Sequence, residues 1–218
     1  MVFNLIALLV VLAFIAIGTK KGFLRELMAL LGLVAALVIS TGKLDFVAEE
    51  IAAALDASPL TVAVISYIIV LGLIYALFKL LAKILEKAIS VQSLGDRDKW
   101  GGAIVGAIRG WLIAGVLLFM TIILPLPRAY YEMMDKSMLA TSAAKSIQVI
   151  YDTSKPLHRT WPTFVEKVEA TLTTMPSDKK DAPKRKTRKS PEKQAKEALA
   201  LQDALDRLYY FYGEADTY

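Results

Sequence analysis

Hydrophobic positions along this 218-residue chain fall in long uninterrupted blocks rather than in alternation. Residues 1–19, 27–42, 57–78 and 110–127 carry no charged side chain, whereas 178–197 is mostly charged. A bilayer core of roughly 30 Å needs about 20 helical residues at 1.5 Å rise each, so blocks of this length read as membrane spans. The pattern predicts an all-α, polytopic membrane protein with four transmembrane helices. They run from Val2 to Ile17, Phe23 to Ser40, Leu60 to Leu81 with a wet continuation, and Gly102 to Leu124. No period-two alternation supports a strand, and lipid admits only helices or closed barrels. Lys20 and Lys21 follow the first block instead of preceding it, which marks a retained span rather than a secretory signal.

The segments between the blocks have their own patterns. Gly18 to Gly22 is short, basic and flanked by glycines, as a tight helical hairpin requires. Lys43 to Asp56 places Leu44, Val47, Ile51 and Leu55 at helical spacing among acids, the pattern of a short amphipathic helix on the membrane surface. Val91 to Trp100 reads as the polar connection into the fourth span, which Pro125 and Pro127 bring to an end. This division gives a four-helix membrane domain over 1–127, an amphipathic segment over 128–151, and a polar basic linker with a C-terminal helix over 152–218. Thr153 to Pro176 is weakly patterned, and Lys179 to Lys196 is too charged to bury a core and reads as a disordered linker. From Glu192 to Tyr212 an apolar stripe of Ala198, Leu201, Leu205, Leu208 and Tyr212 predicts a helix. It is either a plain surface helix or one that docks a partner or a lipid surface.

Composition narrows the chemistry. The absence of cysteine excludes disulfide frameworks, cysteine zinc sites, iron–sulfur clusters and thiol nucleophiles. His158 is the single histidine, sits beside Lys155, Pro156 and Arg159, and reads as solvated. No P-loop, G-x-S-x-G elbow or H-E-x-x-H is present, so no cofactor and no catalytic or metal set is expected. The net charge of +5 needs no nucleic acid, because it follows from membrane topology. Lys20, Lys21 and Arg25 follow the first span, Lys43 alone follows the second, and Lys79, Lys83, Lys87, Arg97 and Lys99 follow the third. Basic residues favour the cytoplasmic side, so the first and third connections are expected there and both termini in the periplasm. The basic tail opposes this assignment, yet long tails translocate largely regardless of charge.

Two features stand out inside the spans. Gly102, Gly106, Gly110 and Ala114 form a stripe of small residues, with a shorter version at Gly32, Ala36 and Ser40. In lipid such stripes permit the close backbone approach that holds helices together, either within one chain or between copies. Arg109 is the charge that does not belong. Seven residues past Gly102, it is rotated only about 20° from the glycine face, so it points toward other helices. It is expected to pair with Glu26 in the first turns of the second span, with Asp96 or a lipid phosphate as alternatives; the competing picture has Arg25 and Arg109 both snorkelling to headgroups. Asp96 and Arg97 are the polar motif of the third connection.

Taken together, Lys21-Gly22-Phe23-Leu24-Arg25-Glu26 leading into the second span, Leu94-Gly95-Asp96-Arg97 before the glycine stripe, Arg109-Gly110 within it, and Ser137 to Ile150 after the last span resemble the colicin V production (CvpA) family. The resemblance covers roughly residues 1–150 and departs at Asn4, where members often carry an acid, and in the tail beyond Tyr151. It implies a four-span bacterial inner-membrane protein with a role in making or exporting a peptide toxin and in envelope physiology, and no defined reaction. Two functions are carried forward. One is a non-enzymatic protein that self-associates through its glycine stripes, supports export or envelope homeostasis, and recruits a partner with its tail. The other is a small oligomeric channel or transporter for an anion or small solute, lined by Arg25, Arg109 and hydroxyls. A membrane-embedded enzyme lacks a nucleophile, base and metal constellation.

Overall fold

The structure is a computed structural model and describes residues 2–54, 57–88, 96–157, 162–174 and 190–213. Among these the regular elements are helices only. Four are long and apolar enough to cross a membrane: α1 (Val2–Lys21), α2 (Phe23–Gly42), the Pro59–Ile84 part of α4 (Pro59–Ala88), and α5 (Asp96–Ile123). The short α3 (Leu44–Ala54) lies between α2 and α4. Beyond α5 come α6 (Arg128–Asp135), α7 (Met138–Thr153), α8 (Phe164–Thr174) and α9 (Pro191–Tyr212).

Local chemistry explains where these helices start and stop. Gly22 has φ +83°, a left-handed conformation that a side chain resists, and it reverses the chain in a single residue between α1 and α2. Asp98 completes that corner, its carboxylate accepting the Phe23 N–H at 2.8 Å. Ser58 and Pro59 open α4, the serine hydroxyl accepting from Thr61 N–H at 3.3 Å and the proline occupying the first helical position. Thr163 and Glu166 cap α8 reciprocally: Thr163 Oγ1 accepts from the Glu166 N–H, and the Glu166 carboxylate accepts from the Thr163 N–H at 2.8 Å. That backbone bond is the main reason the Glu166 carboxyl is held below its ordinary range. Ser190 and Pro191 open α9 in the same manner as Ser58 and Pro59 open α4.

Packing is organised around α5. Helix α1 runs antiparallel along it, α2 packs between α5 and α4, and α7 lies against α5 on the side of the amino terminus. A methyl group built on Gly115 would sit 2.2 Å from the Ala143 carbonyl oxygen, so α7 touches the α5 backbone eight residues before that helix ends. At 1.5 Å per residue the contact lies about 12 Å inside the end of α5. Helices α7, α8 and α9 close this end of the bundle through an aromatic cluster. Phe119 of α5 meets Tyr67 of α4 at 5.5 Å, Phe164 of α8 at 5.2 Å and Tyr212 of α9 at 5.9 Å between ring centroids. Edge and tilted pairs of this kind add roughly 0.5–1.5 kcal/mol each beyond the area they bury.

Several sequence expectations change. The amphipathic segment over 128–151 forms two helices, broken at Lys136 and Ser137. Asp96 and Arg97, placed by sequence in the connection, are instead the first residues of α5, where acids favour a helix start. The weakly patterned stretch after Thr153 contains α8, whose Phe164, Val168 and Leu172 are buried at four-residue spacing. The last part of the expected disordered linker, from Pro191, is the start of α9, while 178–189 and His158 lie outside the described residues. Of the apolar stripe read on α9, Leu208 and Tyr212 are buried and Ala198 is exposed.

Candidate functional site

The glycine stripe of α5 is filled by α1 of the same chain. A methyl on Gly102 would lie 2.2 Å from the Gly18 carbonyl oxygen, one on Gly106 2.4 Å from that of Phe14, and one on Gly110 3.0 Å from the Val11 Cα. Ala114 continues the buried face. Backbone therefore rests on backbone for two turns, a fit available only where side chains are missing. The shorter stripe of α2 is used in the same way against α4: Gly32 accommodates Phe78, whose Cβ would be 2.7 Å from an added methyl, and Ala36 and Ser40 are buried below it.

This close approach places Arg109 and Glu26 together. Long side chains on a helix lean toward its amino terminus, so Arg109 reaches back along α5 to the level of the first turn of α2. There its Nη1 donates to Glu26 Oε1, and its guanidinium carbon lies 4.7 Å from the centroid of the Phe14 ring on α1. Glu26 is 0% and Arg109 5% exposed, so the pair is removed from both water and lipid. Glu26 Oε2 and Arg109 Nε have no hydrogen-bond partner. One ion pair thus joins α1, α2 and α5. The positive charge of the guanidinium faces the carboxylate and the ring. The arrangement is suited to holding three helices in register.

The other residues read from the sequence sit apart. Arg25 is exposed. Asp96 pairs with Lys99 at 3.0 Å on the surface, and Arg97 is exposed. The carboxylate that organises this end is Asp98, whose oxygen accepts the Phe23 N–H where α2 begins. No group of three or more His, Cys, Asp or Glu side chains able to hold a metal ion occurs among the described residues.

Sequence reasoning missed a second buried cation at the opposite end of α5. The final carbonyls of a helix lack intrahelical partners, and proline at 125 prevents the chain from continuing to satisfy them. Arg207 of α9 supplies donors, beside the Tyr131 hydroxyl and the Leu126 N–H that also meet the Leu124 carbonyl. Its Nε bonds the Ile122 carbonyl at 2.9 Å and its Nη2 approaches that of Leu124 at 3.5 Å. Its Nη1 pairs with Asp203, and its guanidinium carbon stands 4.4 Å from the Tyr131 ring centroid. Gln148 of α7 adds a bond at 2.9 Å to the Tyr212 carbonyl. The signal was an arginine between Ala204, Leu208 and Phe211 on the face of α9 that becomes buried.

Arg207→Ala is expected to release α9 while leaving the spans packed. Charge-assisted hydrogen bonds are worth about 1.5–3 kcal/mol each. The amides of α9 should therefore exchange with solvent roughly ten- to a hundredfold faster, and those of α5 around Gly106 should not change. Equal protection of α9 in both proteins would remove Arg207 as its anchor.

A family model described as colicin V production protein matches residues 3–148 of the chain. No curated protein and no solved structure matches it.

Proposed function

We propose, because the chain belongs to the colicin V production protein family, that it acts in the inner membrane as a non-enzymatic multi-pass protein supporting toxin export and envelope homeostasis. Membership links this membrane protein to colicin V production. The observation that carries the rest of the reading is the Arg109–Glu26 pair, in which the two buried charges of the span region engage each other across three helices. Intramembrane charges tend to pair with one another, and a pair as fully enclosed as this one supports a scaffold role. The channel alternative asks Arg109 to line a path, whereas here it is enclosed by Glu26, Phe14 and the α5 glycine face.

The basic connections support periplasmic termini. Lys20 and Lys21 lie at one end with Lys99, because Asp98 bonds the turn after α1, and α6 to α9 lie at the other. Self-association is part of the same proposal. With the α5 and α2 stripes occupied inside the chain, a second copy would meet an outward face, for which α4 offers the exposed row Leu73, Leu77, Leu80 and Ile84. The tail recruits its partner with the side of α9 turned away from Arg207.

The test is a strain deleted for this chain and supplied with the toxin genes. We expect normal toxin inside the cell and reduced activity outside it, restored by the wild-type chain and not by Glu26→Ala. Equal release with and without the chain would refute the export role, and rapid chloride flux through vesicles carrying the purified protein would replace it with the channel.

A further inference from the structure

The corner between α6 and α7 has no part in the packing of the glycine stripes. It does not span, yet it is fixed to the first turn of a helix that does. The Phe3 ring of α1 meets Tyr130 of α6 edge-on at 5.7 Å between centroids. The Asn4 carboxamide oxygen of α1 accepts the N–H groups of Leu139 and Ala140, at 3.1 and 3.4 Å, at the start of α7. The apolar face of α1 is outward, with Val2, Leu5, Ile6 and Leu9 exposed to the surroundings that a membrane span meets. Tyr130, Met133, Met138 and Leu139 are exposed on the corner, Met138 at 81%.

Backbone carbonyls at the corner are paired within the chain, and the charged side chains of Glu132, Asp135 and Lys136 are exposed beside them. The carbonyl of Glu132 accepts from Lys136 N–H at 3.3 Å, that of Met133 from Ser137 Oγ at 2.8 Å, and that of Met134 from Ser137 N–H at 2.9 Å and from Thr141 Oγ1 at 3.2 Å. Ser142 Oγ turns back onto the Met138 carbonyl at 2.8 Å. A helix end in water needs none of this, since solvent satisfies its free groups; in a bilayer each unsatisfied group costs several kcal/mol. With its carbonyls accepting from hydroxyls and its N–H groups donating to a side chain of a neighbouring span, the break can lie in hydrocarbon without leaving these backbone groups unsatisfied.

We infer that the α6–α7 corner is a lipid-inserted element, with Tyr130, Met133, Met138 and Leu139 among the acyl chains of the leaflet on the amino-terminal side. The occupant of this face is lipid, because Phe3 and Asn4 fasten it to the first turn of α1, a membrane span. Arg128 and Lys136, both exposed at the ends of α6, lie where they reach the headgroup phosphates.

The chain has no cysteine, so single-site labels are unambiguous. Nitroxides placed by Met138→Cys and Met133→Cys in the full chain in phospholipid nanodiscs are compared with Leu9→Cys on the lipid face of α1 and Lys193→Cys on the exposed start of α9. Collision with oxygen, which concentrates in hydrocarbon, is measured against collision with a water-soluble nickel chelate. We expect the oxygen-to-nickel ratio at 133 and 138 to approach that at 9 and to exceed that at 193 several-fold. A ratio at both sites equal to that at 193 places the corner in water and overturns the inference. Low collision with both reagents shows a protein cover and overturns it equally. The two labels stand on separate helices, so if one variant fails to keep the unlabelled thermal midpoint, the other decides between the same outcomes.

Discussion

Glu26→Ala is expected to destabilise the protein in mild detergent by about 3–5 kcal/mol, the cost of removing one member of a buried ion pair. The loss should exceed that of Arg109→Ala. A carboxyl left without its guanidinium can shed its charge by binding a proton, whereas a guanidinium has no neutral form within reach and must drag water inward or pull α5 out of register. Replacing both, as Glu26→Leu with Arg109→Leu, should recover most of the loss, because apolar substitutes for a buried pair are often neutral or better. Unfolding by denaturant in detergent, read for Glu26→Leu and Arg109→Leu singly and together, checks this. Additive losses would show that the two side chains are neighbours without being coupled.

Gly106→Leu is expected to separate α1 from α5. An added methyl lies 2.4 Å from the Phe14 carbonyl oxygen and 3.3 Å from the Gly18 Cα, and both are backbone atoms that no rotamer change can move aside. Overpacking of a tight interior costs about 1–3 kcal/mol where side chains can adjust, and this contact belongs at or above the top of that range. The consequence is concentrated on α1, whose extensive packing is with α5 and whose opposite face is open to lipid. Gly72 provides the internal control. Nothing lies within 4 Å of a methyl there, so Gly72→Ala should be neutral, or stabilising by up to about 1 kcal/mol through helix propensity. Equal tolerance at 72 and 106 would mean that the stripe does not carry the packing.

The contrast between these glycines shows what was legible in the sequence. The spans were, because hydrocarbon tolerates no interruption by charge over 20 residues and the interruptions fall between the blocks. The proximity of Arg109 and Glu26 followed from helix rotation and depth, both of which are arithmetic on residue number. The occupant of the α5 stripe was not legible, since a row of glycines says that some backbone comes close and is silent on which one. Its counterpart, Gly18, read as a turn residue at the end of a span, while α1 in fact continues to Lys21. Gly115 was hidden for the opposite reason, standing inside an apolar run with no small residue four positions away that faces α7. Arg207 was obscured because a cation on a polar tail helix has the composition of a solvated face, and only the arrested carbonyls of α5 reveal its purpose. Asp98 and Asp96 are indistinguishable by composition; which one caps α2 depends on the hand of the Gly22 reversal.

The reach of the Arg109–Glu26 pair along the chain, 83 residues, has a consequence for biosynthesis. At about 5–20 residues per second, the ribosome delivers Arg109 roughly 4–17 s after Glu26, so the first hairpin enters the bilayer with an uncompensated acid and with no groove to receive α1. The early product is accordingly a waiting intermediate, and the arrival of α5 is the step that converts separately inserted helices into one assembled molecule.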